Sequence, residues 1–315
     1  MNYKQIISDA WAETQKDKSM IFWFGFVPAL FTTPVSIGYI VYQYFAFRTS
    51  PIFNSGSHES FLVVMAKFIW NFLVLHVDWT LPIVLGAALF FVFYFLYPTF
   101  ARAAAIQVIA RRKNGQSATT ATGVKNAFFA FLPLFEYHLL INTFSFFAIL
   151  IEISFVLNNL GLEIFFMLLP VFIIILVFSL FLTLFFTFAD FYIVVDKLKI
   201  FDSMRKSIHL VFLNWKYTFL ITVLMIVIGI RIILQAVIIF LIPFLVLLLA
   251  GFVASVTLQI TGLIVGVAVG VIGLFIAAYL NGIVDIFSYT VWTHTFLLLS
   301  QEKELSARDP VKTSE

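Results

Sequence analysis

The sequence predicts an all-α membrane protein, with six transmembrane helices in three repeats of an amphipathic surface helix followed by a helical hairpin. Three observations predict it. Hydrophobic residues make up 62% of the chain and charged residues 11%, whereas about a quarter of the residues in globular domains are charged. Positive charges cluster in alternate connecting segments. Amphipathic helices precede three of the apolar runs.

The positive charges predict the orientation of the chain. Most of them precede the first span or lie in two later connections: Lys4, Lys16, Lys18, Arg102, Arg111, Arg112, Lys113, Lys125, Lys197, Lys199, Arg205, Lys206 and Lys216. Only Arg48 and Lys67 fall on the opposite side. We therefore expect a multi-pass protein of the cell (plasma) membrane with both termini in the cytoplasm. The same clusters either contact anionic lipid headgroups or serve only to set the orientation.

The clearest amphipathic helix covers residues 201–215. Apolar residues recur along it at helical spacing, and polar residues occupy the other side. The apolar set is Phe201, Met204, Ile208, Val211 and Trp215, and the polar set is Asp202, Arg205, Lys206 and His209. An uncharged run follows from Tyr217 to Ile230. This pattern predicts an elbow, in which a helix in the headgroup region turns into a membrane span.

Two spans are expected in the first third of the chain. An elbow around Trp11 leads into a span over residues 20–47, and a polar outer loop covers 48–60. Residues 61–76 are apolar but too few to cross a bilayer. They are interpreted as a helix on or partly within the outer leaflet, and re-entrant and spanning arrangements stay open. The second span covers residues 81–112.

The middle of the chain repeats this order. A second elbow is expected over residues 122–132, a third span over 134–157, a tight turn at 158–161 and a fourth span over 163–197. The fourth span leads directly into the elbow at 201–215.

The apolar run over residues 217–258 is too long for one span. At about 1.5 Å per residue it has roughly twice the length that the hydrocarbon core requires. Pro243 is the expected break. One span followed by a re-entrant or outer-surface segment over 240–256 preserves the repeat, whereas two spans would reverse the last helix. The sixth span covers 260–299, and a polar tail over 301–315 is predicted to be disordered.

An internal repeat follows from sliding the sequence along itself. Ile7, Trp11 and Thr14 align without a gap on Val124, Phe128 and Phe131, and these on Met204, Ile208 and Val211. The alignment predicts repeats over about 1–112, 118–198 and 201–300 within a single transmembrane domain over 1–300.

Three stretches carry a family resemblance. They are the segment FADFYIVVDK at residues 188–197, the segment YPTFARAAAIQVIARR at 97–112, and the surface helix over 202–215. Together they resemble six-span bacterial and archaeal membrane proteins related to the membrane domain attached to some glycerophosphodiester phosphodiesterases. The resemblance implies a membrane domain rather than an activity, and it carries over no phosphodiesterase residue.

Ionisable residues within spans suggest two candidate sites. The repeat offset places Glu152 of the third span and Arg231 of the fifth at nearly the same depth. They form a structural strut, line a substrate or ion path, or never meet. Arg102, Asp190 and Asp285 lie near the inner ends of the second span of each repeat. They form a polar ring at a cytoplasmic mouth, or each reaches the interface alone.

Small residues mark a helix-packing face on the sixth span. Gly262, Gly266 and Gly270 recur every fourth residue, and this spacing lets helix backbones approach closely. The face serves tight packing within the chain or a homodimer seam.

No catalytic, cofactor or metal site is predicted. The chain has no cysteine, its histidines are scattered singly, and it contains no Gly-rich phosphate loop, HExxH or GxSxG motif. We expect a non-enzymatic integral membrane protein whose partners are membrane lipids, another membrane protein or a second copy of itself, and not nucleic acid. The alternative is a transporter or channel for a lipid or other apolar cargo.

Overall fold

A computed structural model describes residues 3–50, 60–228, 230 and 259–308. Every regular element in these ranges is a helix, which confirms the all-α prediction for this part of the chain. In chain order they are α1 (Tyr3–Lys16), α2 (Lys18–Arg48), α3 (Phe61–Leu75), α4 (Val77–Lys113), α5 (Thr120–Asn142), α6 (Phe146–Asn159), α7 (Gly161–Phe185), α8 (Ala189–Val194), α9 (Ile200–Leu213), α10 (Trp215–Ile228) and α11 (Gln259–Arg308).

Five helices in the described ranges are long and apolar enough to cross a membrane. They are α2, α4, α5, α7 and the part of α11 from Gly270 to Gln301. Helices α9 and α10 supply a sixth candidate if they are counted as one broken span, and the chain bends by 98° between them. These helices confirm the expectation of a multi-pass membrane protein.

The chain divides into two compact units. Unit 1 comprises Met1–Thr33, Ala104–Gly123 and Leu213–Glu315, and unit 2 comprises Pro34–Ala103 and Val124–Phe212. This division does not test the single transmembrane domain predicted over 1–300, which stays a prediction. The borders of the two units fall inside each predicted repeat, because packing between helices far apart in sequence decides which residues belong together. The repeats themselves stay a prediction.

The core of unit 1 joins α1, α10 and α11. Ile6 and Ala10, one helical turn apart on α1, pack with Ile221, Phe287 and Val291. The other side of α1 carries charged and polar side chains, so burying this apolar stripe is the main stabilisation that the helix gains.

A close backbone contact joins the start of α2 to α11 within unit 1. Residues Ile21–Phe26 form a π-helical turn, and Gly25 lies directly against Gly282. A methyl group on Gly25 would lie 2.8 Å from the carbonyl carbon of Gly282. Only glycine at both positions permits this approach.

One core cluster of unit 2 lies between α6 and α7. Ile149 and Val156 on α6 pack against Phe172 on α7. Every residue of the short helix α8 is buried, and the preceding Phe188 is completely enclosed. Helix α8 is thus a part of the protein interior.

Two of the predicted helix breaks lie in other places. The second elbow is wrong as a separate helix, because α5 continues through Pro133 without interruption. No capping residue precedes Pro133 to start a new helix, and apolar helices tolerate an internal proline. The third span instead breaks after Asn142, where Ser145 caps α6 by accepting a hydrogen bond from the Ala148 backbone N–H at 3.2 Å.

The fourth span is likewise not one helix. Helix α7 ends at Phe185 and α8 begins at Ala189. In the intervening turn, the Thr187 hydroxyl donates to the Thr183 carbonyl oxygen at 2.9 Å and competes with the helical backbone bonds. The expected turn at residues 158–161 is present, with Gly161 at φ +86°.

The remaining expectations have mixed outcomes. The chain breaks at Asp17 between α1 and α2, as the first elbow requires, and residues 61–76 contain a single helix, α3. Helix α11 extends to Arg308, beyond the start of the tail that was predicted to be disordered. The segment over 240–256 and most of the outer loop over 48–60 lie outside the described residues.

Candidate membrane-surface site

A tight turn between α8 and α9 positions α9 within unit 2. After α8 the chain reverses at Lys197, which adopts φ +55°, and the Leu198 backbone N–H donates to the Tyr192 carbonyl oxygen at 3.2 Å. The left-handed conformation is uncommon for a residue with a side chain. This geometry fixes where α9 begins.

Two serines and two aliphatic residues form the packed face of α9. Ser203, Ser207, Leu210 and Val211 are buried at helical spacing. The Ser207 hydroxyl donates to the Phe185 carbonyl oxygen at 2.7 Å and accepts from the Phe188 backbone N–H at 3.1 Å. It therefore satisfies two backbone groups that the break after α7 leaves without helical partners.

Of the apolar stripe that was expected to face the membrane, Phe201 and Trp215 are exposed, Met204 and Ile208 are half-buried, and Val211 is buried. Phe212, which was not part of the predicted stripe, is 63% exposed beside Phe201, which is 77% exposed. The Phe212 ring stacks on Phe185 with 5.1 Å between ring centroids. A rigid aromatic surface thus lies open along one side of α9.

A charged stripe lies on the other open side of the same helix. Asp202, Arg205, Lys206 and His209 are all exposed. Within the described residues, the Asp202, Arg205 and His209 side chains form no hydrogen bond or ion pair. The Lys206 ammonium lies 5.8 Å from the centroid of the Tyr192 ring, a cation–π distance. The stripe therefore keeps charge available for an external partner.

A depression of about 620 Å³ joins the two stripes. Its apolar wall is formed by Leu198, Ile208 and Phe212. Its charged lining consists of Asp202, Arg205, Lys206 and His209. One wall suits hydrocarbon and the other suits an anionic group, so the depression can hold an amphiphilic molecule.

Two members of the predicted polar ring meet in unit 2. Asp190 on α8 has a side chain that is 5% exposed, and its Oδ2 accepts from the Arg102 Nη2 of α4. His138 of α5 places Nε2 3.2 Å from the same oxygen, and its Nδ1 lies 3.4 Å from Thr99 Oγ1. A carboxylate only accepts, so His138 Nε2 carries the hydrogen of this bond.

The environment of Asp190 lowers its pKa. Burial alone would raise the pKa of this carboxyl, but the Arg102 guanidinium and the His138 ring outweigh that effect and bring it below its ordinary value. The cluster neutralises a buried charge within the protein. Sequence reasoning found Arg102 and Asp190 but missed His138, because its partners lie on two helices distant in sequence.

The structure does not test the third member of the predicted ring or the predicted charge pair. Asp285 is an exposed residue of α11 in unit 1, so the ring as a whole stays a prediction. Glu152 is exposed on α6. Arg231 lies outside the described residues, and its pairing with Glu152 stays a prediction as well.

The predicted glycine face lies on α11. Gly262 and Gly266 are within the helix, and a methyl group on Gly270 would meet no described atom within 4 Å. The role of this face in packing or in a homodimer stays a prediction, and a close glycine contact is seen at Gly282, against Gly25. Isolated glycines in two helices give no periodic signal, which explains why the sequence did not single them out.

Two polar groupings were not found from the sequence. In unit 2, Gln43 Oε1 accepts from Ser154 Oγ at 2.6 Å and from Asn158 Nδ2 at 2.8 Å. In unit 1, Glu13 Oε2 lies 3.0 Å from Nε2 of the buried His294. Each grouping joins residues more than 100 positions apart, so no local motif records it.

Comparison of the chain with protein-family models, with curated proteins and with solved structures finds no match. The resemblance to the membrane domain of glycerophosphodiester phosphodiesterases therefore stays a prediction.

Proposed function

We propose that this chain is a non-enzymatic integral membrane protein that engages and organises lipids at the cytoplasmic surface of the cell membrane. The observation that carries the proposal is the outer surface of α9, where an exposed aromatic stripe runs beside an exposed charged stripe. A helix with this arrangement lies in the interface plane, with its apolar side in the acyl region and its cations among the headgroups.

The packing of α9 supports this role. An amphipathic helix of a soluble domain buries its apolar face against the core. Helix α9 instead buries serines with Leu210 and Val211, and it leaves Phe201 and Phe212 outside. Exposed aromatic area of this kind indicates contact with membrane or with another protein. The proposal includes protein partners in the same bilayer. Such a partner is another membrane protein or a second copy of the chain, which could join through the glycine face of α11.

The expected topology is part of the proposal. Both termini lie in the cytoplasm, and the surface helices of the first and third repeats precede the breaks at Asp17 and Asn214.

The transport alternative has less support. Gln43, Ser154 and Asn158 bond one another, which argues against a hydrophilic cargo, so the alternative stays a transporter or channel for a lipid or other apolar cargo.

Single-cysteine labelling tests the placement of α9, because the chain has no cysteine of its own. Nitroxide labels are attached to the variants Phe201→Cys, Phe212→Cys, Arg205→Cys and His209→Cys in reconstituted vesicles. The first two labels should relax faster with oxygen, which concentrates in the acyl region. The last two should relax faster with a water-soluble nickel chelate. Equal access of the chelate to all four would place α9 away from the bilayer and contradict the proposal.

Orientation is tested in the same background. Cysteines at Asn2 and Ser314 should react with a membrane-impermeant maleimide only after cells are opened. Labelling of one terminus in intact cells would overturn the proposed topology.

Lipid engagement itself is tested by mass spectrometry of lipids that remain on the purified protein. Retained lipids with the composition of the bulk membrane, together with no co-purifying protein, would contradict it.

A further inference from the structure

We propose that the depression on α9 binds the phosphodiester of one anionic phospholipid whose headgroup carries hydroxyl groups. This inference rests on the proposed function, because the lipid reaches the depression only if α9 lies at the bilayer surface. It adds the class of lipid and the residues that recognise it.

The cations of the depression select the phosphate. Arg205 is exposed and has no hydrogen-bond or ion-pair partner in the described part of the chain. Its planar guanidinium can donate two parallel hydrogen bonds to a phosphodiester. Lys206 adds a second positive charge on the same helical turn, and Asp202 offsets only one of the two. The local balance of about +1 matches one phosphodiester.

The carboxylate of the depression selects the headgroup. Asp202 is exposed, accepts no hydrogen bond from described residues and lines the same space as Arg205. An ionised carboxylate can only accept, so it fits a headgroup hydroxyl. The Asp202 carboxylate repels a second negative charge on the phosphate. The Lys206 ammonium beside it repels the ammonium group of a zwitterionic lipid. A glycerol or similar polyol headgroup satisfies both conditions.

The apolar wall orients the lipid. Phe212 is held in place by its stack on Phe185, and Ile208 and Leu198 continue the same wall. The volume of about 620 Å³ is within the range of small-molecule sites, about 300–1,000 Å³. It accommodates a headgroup with its glycerol backbone, while the acyl chains run along the exposed side of Phe212 and Phe201 into the bilayer.

The test measures lipid binding to the detergent-purified full chain by native mass spectrometry and by the shift in melting temperature. The probes are phosphatidylglycerol, phosphatidylethanolamine, phosphatidylcholine, phosphatidic acid, glycerol 3-phosphate and inorganic phosphate. We expect phosphatidylglycerol to bind about tenfold more tightly than the two zwitterionic lipids, because it alone combines one net charge with hydroxyl groups. The two soluble phosphates should give no shift, since they lack the acyl chains.

The double variant Arg205→Gln/Lys206→Gln should abolish this preference. Its matched control, Lys113→Gln/Lys125→Gln, removes the same charge from other exposed positions and should keep it. Equal melting temperatures without lipid establish that both variants are folded. The variant Asp202→Asn should raise the affinity for phosphatidic acid several-fold, because the repelling carboxylate is gone.

The outcomes separate this inference from the proposed function. A phosphatidylglycerol preference that survives the double variant overturns the site, while the chain still engages lipids. No preference for any lipid in the wild type contradicts both. Equal binding of phosphatidylethanolamine overturns the headgroup assignment, and equal protection by glycerol 3-phosphate shows a site for a free phosphate ester instead.

Discussion

The Asp190 cluster and the surface of α9 belong to the same unit and treat charge in opposite ways. Asp190 is almost completely buried, Arg102 pairs with its charge, and His138 contacts the same carboxylate oxygen. Arg205 and His209 are exposed and form no bond to described residues. Buried charge is costly unless it is paired, and exposed charge costs little. The first arrangement therefore stabilises the fold, and the second remains available for a ligand.

The largest expected difference in stability comes from replacing each of the two aspartates by asparagine. Asp190→Asn removes the charge that compensates Arg102 and should lower the free energy of unfolding by about 3–5 kcal/mol. Asp202→Asn, at an exposed and unbonded position, should change it by less than about 0.5 kcal/mol. Thermal unfolding in detergent, followed by tryptophan fluorescence, measures both. Equal effects of the two substitutions would show that Asp190 does not hold the unit together.

Two glycines of α11 give a second contrast, between a position in close contact with another helix and a position with open space beside it. A methyl group on Gly282 would lie 2.9 Å from the Phe26 Cα, whereas on Gly270 it meets no described atom within 4 Å. Gly282→Ala should lower the free energy of unfolding by about 1–3 kcal/mol. Gly270→Ala should leave it unchanged or raise it by up to about 1 kcal/mol, because alanine favours the helix. Melting temperatures in detergent compare the two, and a neutral Gly282→Ala would refute the close contact.

Two serines on the packed face of α9 sharpen the contrast further. Ser207→Ala leaves the buried Phe188 backbone N–H without its acceptor and should cost about 1–2 kcal/mol of unfolding free energy. The Ser203 hydroxyl is buried and has no partner in the described residues, so Ser203→Ala should be neutral or stabilising. Chemical unfolding of the purified protein measures the difference. A larger loss for Ser203→Ala than for Ser207→Ala would contradict this assignment.

The smallest expected effect is the dependence of stability on pH. The folded state lowers the pKa of Asp190, so it binds fewer protons than the unfolded state below neutral pH. The stabilisation is complete above the ordinary pKa of aspartate, about 3.9, and is lost as pH falls from there toward the folded value. Melting temperatures from pH 6 to pH 3 should therefore decline less in Asp190→Asn than in the wild type. Asp202→Asn should retain the wild-type decline, and a wild-type decline in both variants would exclude Asp190 as its source.

Composition and hydropathy were sufficient to predict the helical class and most of the apolar helices, because long uncharged runs have few other stable conformations in a bilayer. They did not locate the breaks at Asn142 and Phe185. Those breaks depend on a serine cap and on a hydroxyl from α9, both supplied by single residues without a periodic pattern.

The candidate site was partly predictable. Helical spacing placed the charged residues of α9 on an exposed side, but of the predicted apolar set only Phe201 and Trp215 are exposed. It did not show that a third side, centred on Ser203 and Ser207, is the one that packs on the protein. Serine contributes little to a hydrophobic pattern, so only tertiary contacts decide this orientation.

The hydroxyl of Ser207 connects the surface helix to the end of an apolar span through one oxygen atom. Helix α9 cannot move outward without breaking the hydrogen bonds of the Phe185 carbonyl and the buried Phe188 amide. A displacement of α9 would therefore be transmitted through this oxygen to the end of α7.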